Sequence, residues 1–231
     1  KRSRGLEASA SRRAEARHET VQTLAGDIDV LEWGIHRPDD YSSRLTLKGV
    51  DLFFQRENAS GISVLDMGTG TGVVSILCAK KGAQRIVASD IDEKAFRNAA
   101  HNFKKFGIEE TVQLRRSDLF ENIPESFDLV VFNVPGGDPE DMRAIAGRFV
   151  EGLQSHLNPG GAAIVSWPNE FYSRDPVDDD LVTEENLVEI AGPSFRVRKL
   201  DGETPWSTYA HAVFELRRAE ARTQPEGGTL S

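Results

Sequence analysis

Cysteine is nearly absent: Cys78 stands alone in 231 residues. One thiol forms no internal disulfide, which suits a reducing compartment. Long apolar runs are missing too. None approaches the roughly 20 residues that span a bilayer. The opening stretch KRSRGLEASASRR lacks the apolar core of a secretory leader. The expectation is a cytoplasmic protein with no membrane contact. Positive charge is the scarcer sign, with 28 Lys and Arg against 37 Asp and Glu and a formal net charge of −9. That balance argues against general affinity for a polyanion, and so against a nucleic-acid partner. Neither H-E-x-x-H nor a paired-cysteine cluster occurs, so no metal site is expected. The serine nucleophile elbow G-x-S-x-G is also missing.

What is present is enough for one domain with a sizeable core, at 39% apolar residues. Residues 1–20 carry Lys1, Arg2, Arg4, Arg12, Arg13 and Arg17 against Glu7, Glu15 and Glu19. They read as a basic arm, flexible or helical. Residues 21–60 form an N-terminal cap segment, with IDVLEW as a short strand and SSRLTLKGVDLFFQRE as an amphipathic helix. Residues 61–218 form the main domain, and 219–231, rich in polar residues with Pro and Gly, a disordered tail.

Within 61–218 strand-like and helix-like runs alternate. ISVLDM, RIVASD, TVQLRR, FDLVVFNV and AAIVSW read as strands. The intervening runs have helical spacing, with acidic starts and Lys, Gly or Pro stops. Near-continuous apolar strands joined by helices imply a parallel sheet covered on both faces. FRVRKL and TYAHAVFELRR then suggest an antiparallel strand pair. The fold class expected is α/β: a doubly wound, mostly parallel, seven-stranded sheet with an antiparallel C-terminal pair.

VLDMGTGTGVVSI, Val64 to Ile76, sits at the first strand-to-helix loop, where open sheets of this kind bind ligands. Gly68, Gly70 and Gly72 let backbone approach a ligand closely. A P-loop needs a lysine after its glycines, and none follows until Lys80. A dinucleotide loop needs G-x-G-x-x-G/A. Here the third position is Val73 in one register and Ser75 in the other. Asp66, two residues before the first glycine, is expected to face the loop and repel a pyrophosphate. A carboxylate there suits a ligand with an ammonium group and no phosphate.

LDMGTGTG resembles the D-x-G-x-G-x-G motif of class I S-adenosylmethionine-dependent methyltransferases. In pattern it is closest to the glutamine-amide and adenine N-methyltransferase branch. The resemblance runs from Ile62 to Trp167, and beyond that rests on element order. It implies S-adenosylmethionine as cofactor, held by Asp66, Gly68, Thr69, Gly70 and Gly72. It also implies Asp90 on the ribose, Ile91 against the adenine, and Asp118 with Leu119 at the adenine edge. Asp90 alone does not separate this cofactor from a dinucleotide, and the alternative for either acid is a helix cap or turn.

FDLVVFNVPGG places Asn133 beside the cofactor's sulfur in this family. Asn133 and Pro135 match its N-P-P-Y motif, while Val134 and Gly136 replace the inner proline and the aromatic. That motif marks methylation of planar nitrogens. Its asparagine oxygen and the next carbonyl accept N–H groups, and transfer is in line, driven by proximity and orientation. Asn133, Val134 and Pro135 are therefore the catalytic candidates. Without the aromatic, the acceptor expected is a small molecule or a peptide or protein side chain rather than a base. HRPDDYS resembles the stretch that closes the methionine end in the same branch. It implies Asp39 near the site, with Arg37 toward the substrate and Tyr41 toward the cofactor. Trp167 and Asn169, at the end of the fifth strand, join Arg37 as acceptor-binding candidates. Trp33 and Trp206 are further candidates for that pocket. The alternatives are an O-methyltransferase, a degenerate cofactor-binding scaffold, or a nicotinamide oxidoreductase.

Overall fold

The computed structural model describes residues 19–32, 34–169, 184–201 and 210–219. Most of the expected basic arm, all but Ala219 of the expected tail, and Trp33 and Trp206 lie outside them. The described chain opens with a hairpin, β1 (Glu19–Thr23) against β2 (Gly26–Val30). IDVLEW overlaps β2. Strand β1 was not expected, because ETVQT shows one buried apolar side chain, Val21, too little for a period-two signal.

Helix α1 (Tyr41–Glu57) follows. The Asp40 carboxylate caps it by accepting from the Ser43 amide at 3.0 Å, and left-handed Asn58 ends it. Next come β3 (Ser63–Met67), α2 (Val73–Lys80), β4 (Arg85–Asp90), α3 (Glu93–Phe106), β5 (Val112–Arg116) and β6 (Phe127–Asn133). Then come α4 (Pro139–His156), β7 (Leu157–Asn169), α5 (Glu184–Ala191), β8 (Phe195–Asp201) and β9 (Ala210–Arg218). Strand β7 starts earlier than AAIVSW implied. Leu157 pairs with Phe127 across a register shift, so the Asn-Pro-Gly-Gly stretch lies inside a strand.

The seven-stranded sheet runs β5-β4-β3-β6-β7-β9-β8. Strands β3 to β7 are parallel, and β9 inserts antiparallel to both β7 and β8. This is the expected architecture. Order reverses between β3 and β6, which opens a crevice at their C-terminal ends. Side-chain parity divides the core. Val64, Leu129, Val131, Ile164 and Val213 pack on the face covered by α1 and α2. Leu65, Val130, Phe132, Val165, Trp167 and Phe214 pack on the face of α4 and α5.

Gly72 precedes α2 at φ +82°, and a Cβ there would lie 2.5 Å from the Phe103 ring on α3. Left-handed backbone and overpacking then add. Gly72→Ala is expected to lose roughly 2–4 kcal/mol of stability, read as a lower urea midpoint at unchanged slope.

Candidate functional site

At the crevice lies a cleft of about 460 Å³. Its floor is Met67, Gly68 and Gly70, its far wall Asp90, Asp118 and Leu119, and its near wall Asn133 to Gly136. A smaller recess of about 40 Å³ continues under α1, lined by His36, Pro38, Ser43, Thr46, Asp66 and Asn133 among others. Gly68 and Gly70 have positive φ, and a Cβ on either would meet nothing closer than 3.8 Å. The loop is shaped to leave space above it.

Asp66 lies beneath that loop, 2% exposed. Its Oδ2 accepts from Thr69 Oγ1 at 2.7 Å, Ser75 N at 3.0 Å and Ser75 Oγ at 2.6 Å. Burial pushes its carboxyl upward, against the hydrogen bonds from Ser75 and Thr69. The open carboxylate expected to repel phosphates is therefore a buried one that builds the turn. Oδ1 has no partner among the described residues. Asp90 clamps the loop from β4, accepting from Gly70 N at 3.0 Å and Asp92 N at 2.9 Å. Ile91, 60% exposed, lines the cleft beside it. Asp118 accepts from Arg148 at 2.9 Å. Leu119 is held in left-handed backbone at φ +47°, a costly state for a branched side chain, with its carbonyl accepting from Ser117 Oγ.

Asn133 ends β6 and lines both compartments. Its Nδ2 donates to Ser42 Oγ at 3.1 Å and lies 3.2 Å from His36 Nε2. Ser42 Oγ in turn donates to Asp40 at 3.0 Å. Among the described residues the Asn133 Oδ1 is buried with no partner, as are Ser166 Oγ and His211 Nδ1. Asn133 and Ser166 are paired in register, and His211 stands two residues before Val213, the partner of Ser166. The three unfilled polar atoms therefore share one face of β6, β7 and β9. The Val134 amide donates to Ser166 O at 3.1 Å, fixing the turn after the strand.

Residues 36–189 match the family described as Methyltransferase small domain. The chain belongs to that family. It is 38% identical over 117 residues to a putative protein N5-glutamine methyltransferase of Methanocaldococcus jannaschii, covering 42% of this chain and 57% of that one. It is 37% identical over 123 residues to a ribosomal protein L11 methyltransferase of Halalkalibacterium halodurans, covering 53% and 37%. The match thus spans little more than half, or less, of these relatives' own length. The L11 methylase of Lactobacillus delbrueckii shares the fold at TM-score 0.58 and 24% identity, covering 81% of this chain and 83% of that one. A Thermus thermophilus 16S rRNA N2 G1207 methyltransferase, solved with AdoMet and guanosine, shares it at TM-score 0.64 and 22% identity, covering 88% and 50%. No helix among the described residues is long and apolar enough to cross a membrane.

Within this methyltransferase fold several expected contacts fall elsewhere. Gly72 packs on Phe103 and lines neither compartment. Arg37 pairs bidentately with Glu19 and with Asp39, away from both compartments. Tyr41 shares the face of α1 that carries Arg44, Leu45 and Lys48 and lines a separate recess with Asp201. Helical phase turned it from the cleft. Trp167 is fully buried on the opposite face of the sheet, in the core under α4 and α5. Asn169 closes β7, and its side chain lies outside the described part of the structure.

His36, Asp40, Ser42 and Thr46 were not singled out from the sequence, although HRPDDYS contained three of them. Asp40 holds His36 Nε2 at 3.0 Å while capping α1. Burial raises its carboxyl, but hydrogen bonds from His36, the Ser43 amide and Ser42 outweigh this and hold it at about 2. A carboxyl lowered on folding stabilises above its unfolded value and loses that contribution as pH falls. Asp40→Ala is expected to cost about 1 kcal/mol between pH 5 and 8. That difference should shrink as pH falls below about 4 toward 2, in paired urea titrations.

Proposed function

We propose that this chain transfers a methyl group from S-adenosylmethionine to a nitrogen on a peptide or protein side chain, or on a small molecule. The observation that carries the reading is the buried Oδ1 of Asn133, unpartnered among the described residues, where the two compartments meet. An unfilled buried acceptor is costly, and an incoming N–H satisfies it.

The residues present fit the cofactor. Asp66 Oδ1 is a free acceptor for an ammonium in the inner recess, and the bare loop of Gly68 to Gly70 leaves room for the chain above it. Thr69 lines the same recess. Asp90 retains lone pairs for ribose hydroxyls, and Ile91, Asp118 and Leu119 border the adenine end. When bound, S-adenosylmethionine supplies an electrophilic methyl group on a cationic sulfur with a neutral leaving group. Asn133 Oδ1 and the Val134 carbonyl would accept the acceptor's N–H groups and turn its lone pair toward that methyl, and the methylated nitrogen would release one of those protons to solvent. Pro135 stiffens the turn. Gly136 and Gly137 would meet nothing within 4 Å of an added Cβ, so the mouth admits a bulky acceptor. The relatives named for glutamine and for L11 support a protein side chain. A single buried thiol, Cys78, suits a cytoplasmic setting.

Calorimetry with S-adenosylhomocysteine and with NAD tests the cofactor: heat with the first and none with the second is expected, and the reverse pattern overturns the reading. Asp66→Asn can keep its acceptor toward Thr69 and Ser75 while an NH2 replaces the free oxygen. It should leave the urea midpoint nearly unchanged and weaken S-adenosylhomocysteine roughly 10- to 100-fold. Asn133→Ala should lower kcat at least about tenfold with cofactor affinity nearly unchanged. Normal turnover in that variant, assayed by label transferred to a peptide mixture, removes Asn133 from the mechanism.

A further inference from the structure

The hairpin of β1 and β2 precedes the family match, which begins at residue 36, yet it is wired into the glycine loop. The outer edge of β2 and the residue just past its end present the backbone groups of Asp29 and Leu31, two residues apart. Among the described residues no strand pairs with that edge. Two carboxamides on α3, Asn98 and Asn102, take the place of one. Leu31 N donates to Asn98 Oδ1 at 2.8 Å, and Asp29 N donates to Asn102 Oδ1 at 3.0 Å. Asp29 O accepts from Asn98 Nδ2 at 2.7 Å and from Asn102 Nδ2 at 2.9 Å. The spacing is physical: residues four apart on a helix lie about 6 Å apart, close to the two-residue repeat of a strand. Lys105, His101 and Thr20 hold the Asp29 carboxylate at 2.6, 2.9 and 2.8 Å.

Asn102 does one thing that Asn98 does not. Its Nδ2 also donates to Thr71 O at 2.9 Å. Thr71 lies between Gly70 and Gly72 and lines the inner recess. Asn102 is fully buried, with both ends of its amide committed.

We propose that Asn102 is a positioning residue for the cofactor loop, holding Thr71 O while its remaining bonds fasten the N-terminal hairpin. The inference rests on the S-adenosylmethionine reading of the cleft. Asp66, Ser89 and Asp90 hold Thr69 and Gly70 from the strand side. Asn102 holds Thr71 from the helix side, and without it that carbonyl is free to turn.

The test compares Asn102→Ala with Asn98→Ala, using S-adenosylhomocysteine as calorimetric probe. Asn102→Ala is expected to bind at least tenfold more weakly. Asn98→Ala loosens the same hairpin without touching the loop and should stay within threefold of the parent. Amide hydrogen exchange over residues 67–74 should accelerate in the Asn102 variant alone. If Asn102→Ala does not fold, Asn102→Asp replaces it, keeping the acceptor for Asp29 N and removing both donors. Equal weakening by the Asn98 and Asn102 variants, or an Asn102 variant that binds like the parent, overturns the inference. A parent protein that binds no S-adenosylhomocysteine would instead sink the cofactor reading.

Discussion

One buried oxygen shapes the site. Asp66 Oδ2 accepts three hydrogen bonds, from Thr69 Oγ1 and from both the amide and hydroxyl of Ser75. Those bonds join the end of β3 to the first turn of α2 and force the chain between them into a tight arch. Taking a carboxylate out of water is costly, and an unmet oxygen in the same place would be costlier still. The arch at Gly68 to Gly72 is the conformation that meets the acceptor's needs. Every other element of the cleft is placed relative to it: Asp90 reaches Gly70 from β4, and Asn133 closes the other side from β6.

This changes what the acid signifies. Read along the chain, Asp66 is a negative charge displayed to a ligand. In the fold it is first a builder of backbone, and burial moves it toward its neutral form. Selectivity for a phosphate-free ligand then rests on geometry as well as charge. The loop offers a narrow recess with one free carboxylate oxygen. Two further acids stand on the cleft wall, Asp118 paired with Arg148 and Asp90 beside the loop, so a polyphosphate would meet the Asp90 carboxylate there.

The sheet was legible because its strands are buried on both faces and bounded by turn residues. The glycine loop was legible because few residue types tolerate its backbone. What failed was the direction of side chains. Trp167 and Ser166 are neighbours at the end of β7, and parity alone sends the tryptophan into the core and the serine toward α1. Tyr41 lost to helical phase in the same way, while Ser43 and Thr46 on the same helix reached the recess. Gly72 shares its motif's spacing with Gly68 and Gly70, but it faces Phe103, a residue of a later helix that local sequence does not reveal. Arg37 was drawn off by Glu19, in a strand whose existence the sequence barely signals.

The orientation of Asn133 decides how the site reads, and the hydrogen-bond chain around it decides that orientation. Carboxamide oxygen and nitrogen are nearly isosteric, so either end could point at Ser42. Ser42 has one hydroxyl proton, and Asp40, an acceptor only when ionised, takes it. The serine oxygen is left as an acceptor and calls for the Asn133 NH2. Asp40 is ionised through the whole neutral range, held there by His36, the Ser43 amide and Ser42. The cap of α1 is thus one end of a hydrogen-bond chain that reaches Asn133 through Ser42, with His36 Nε2 beside both. Among the described residues the Asn133 oxygen is left open, and on the proposed reading it would take a substrate group that brings a donor.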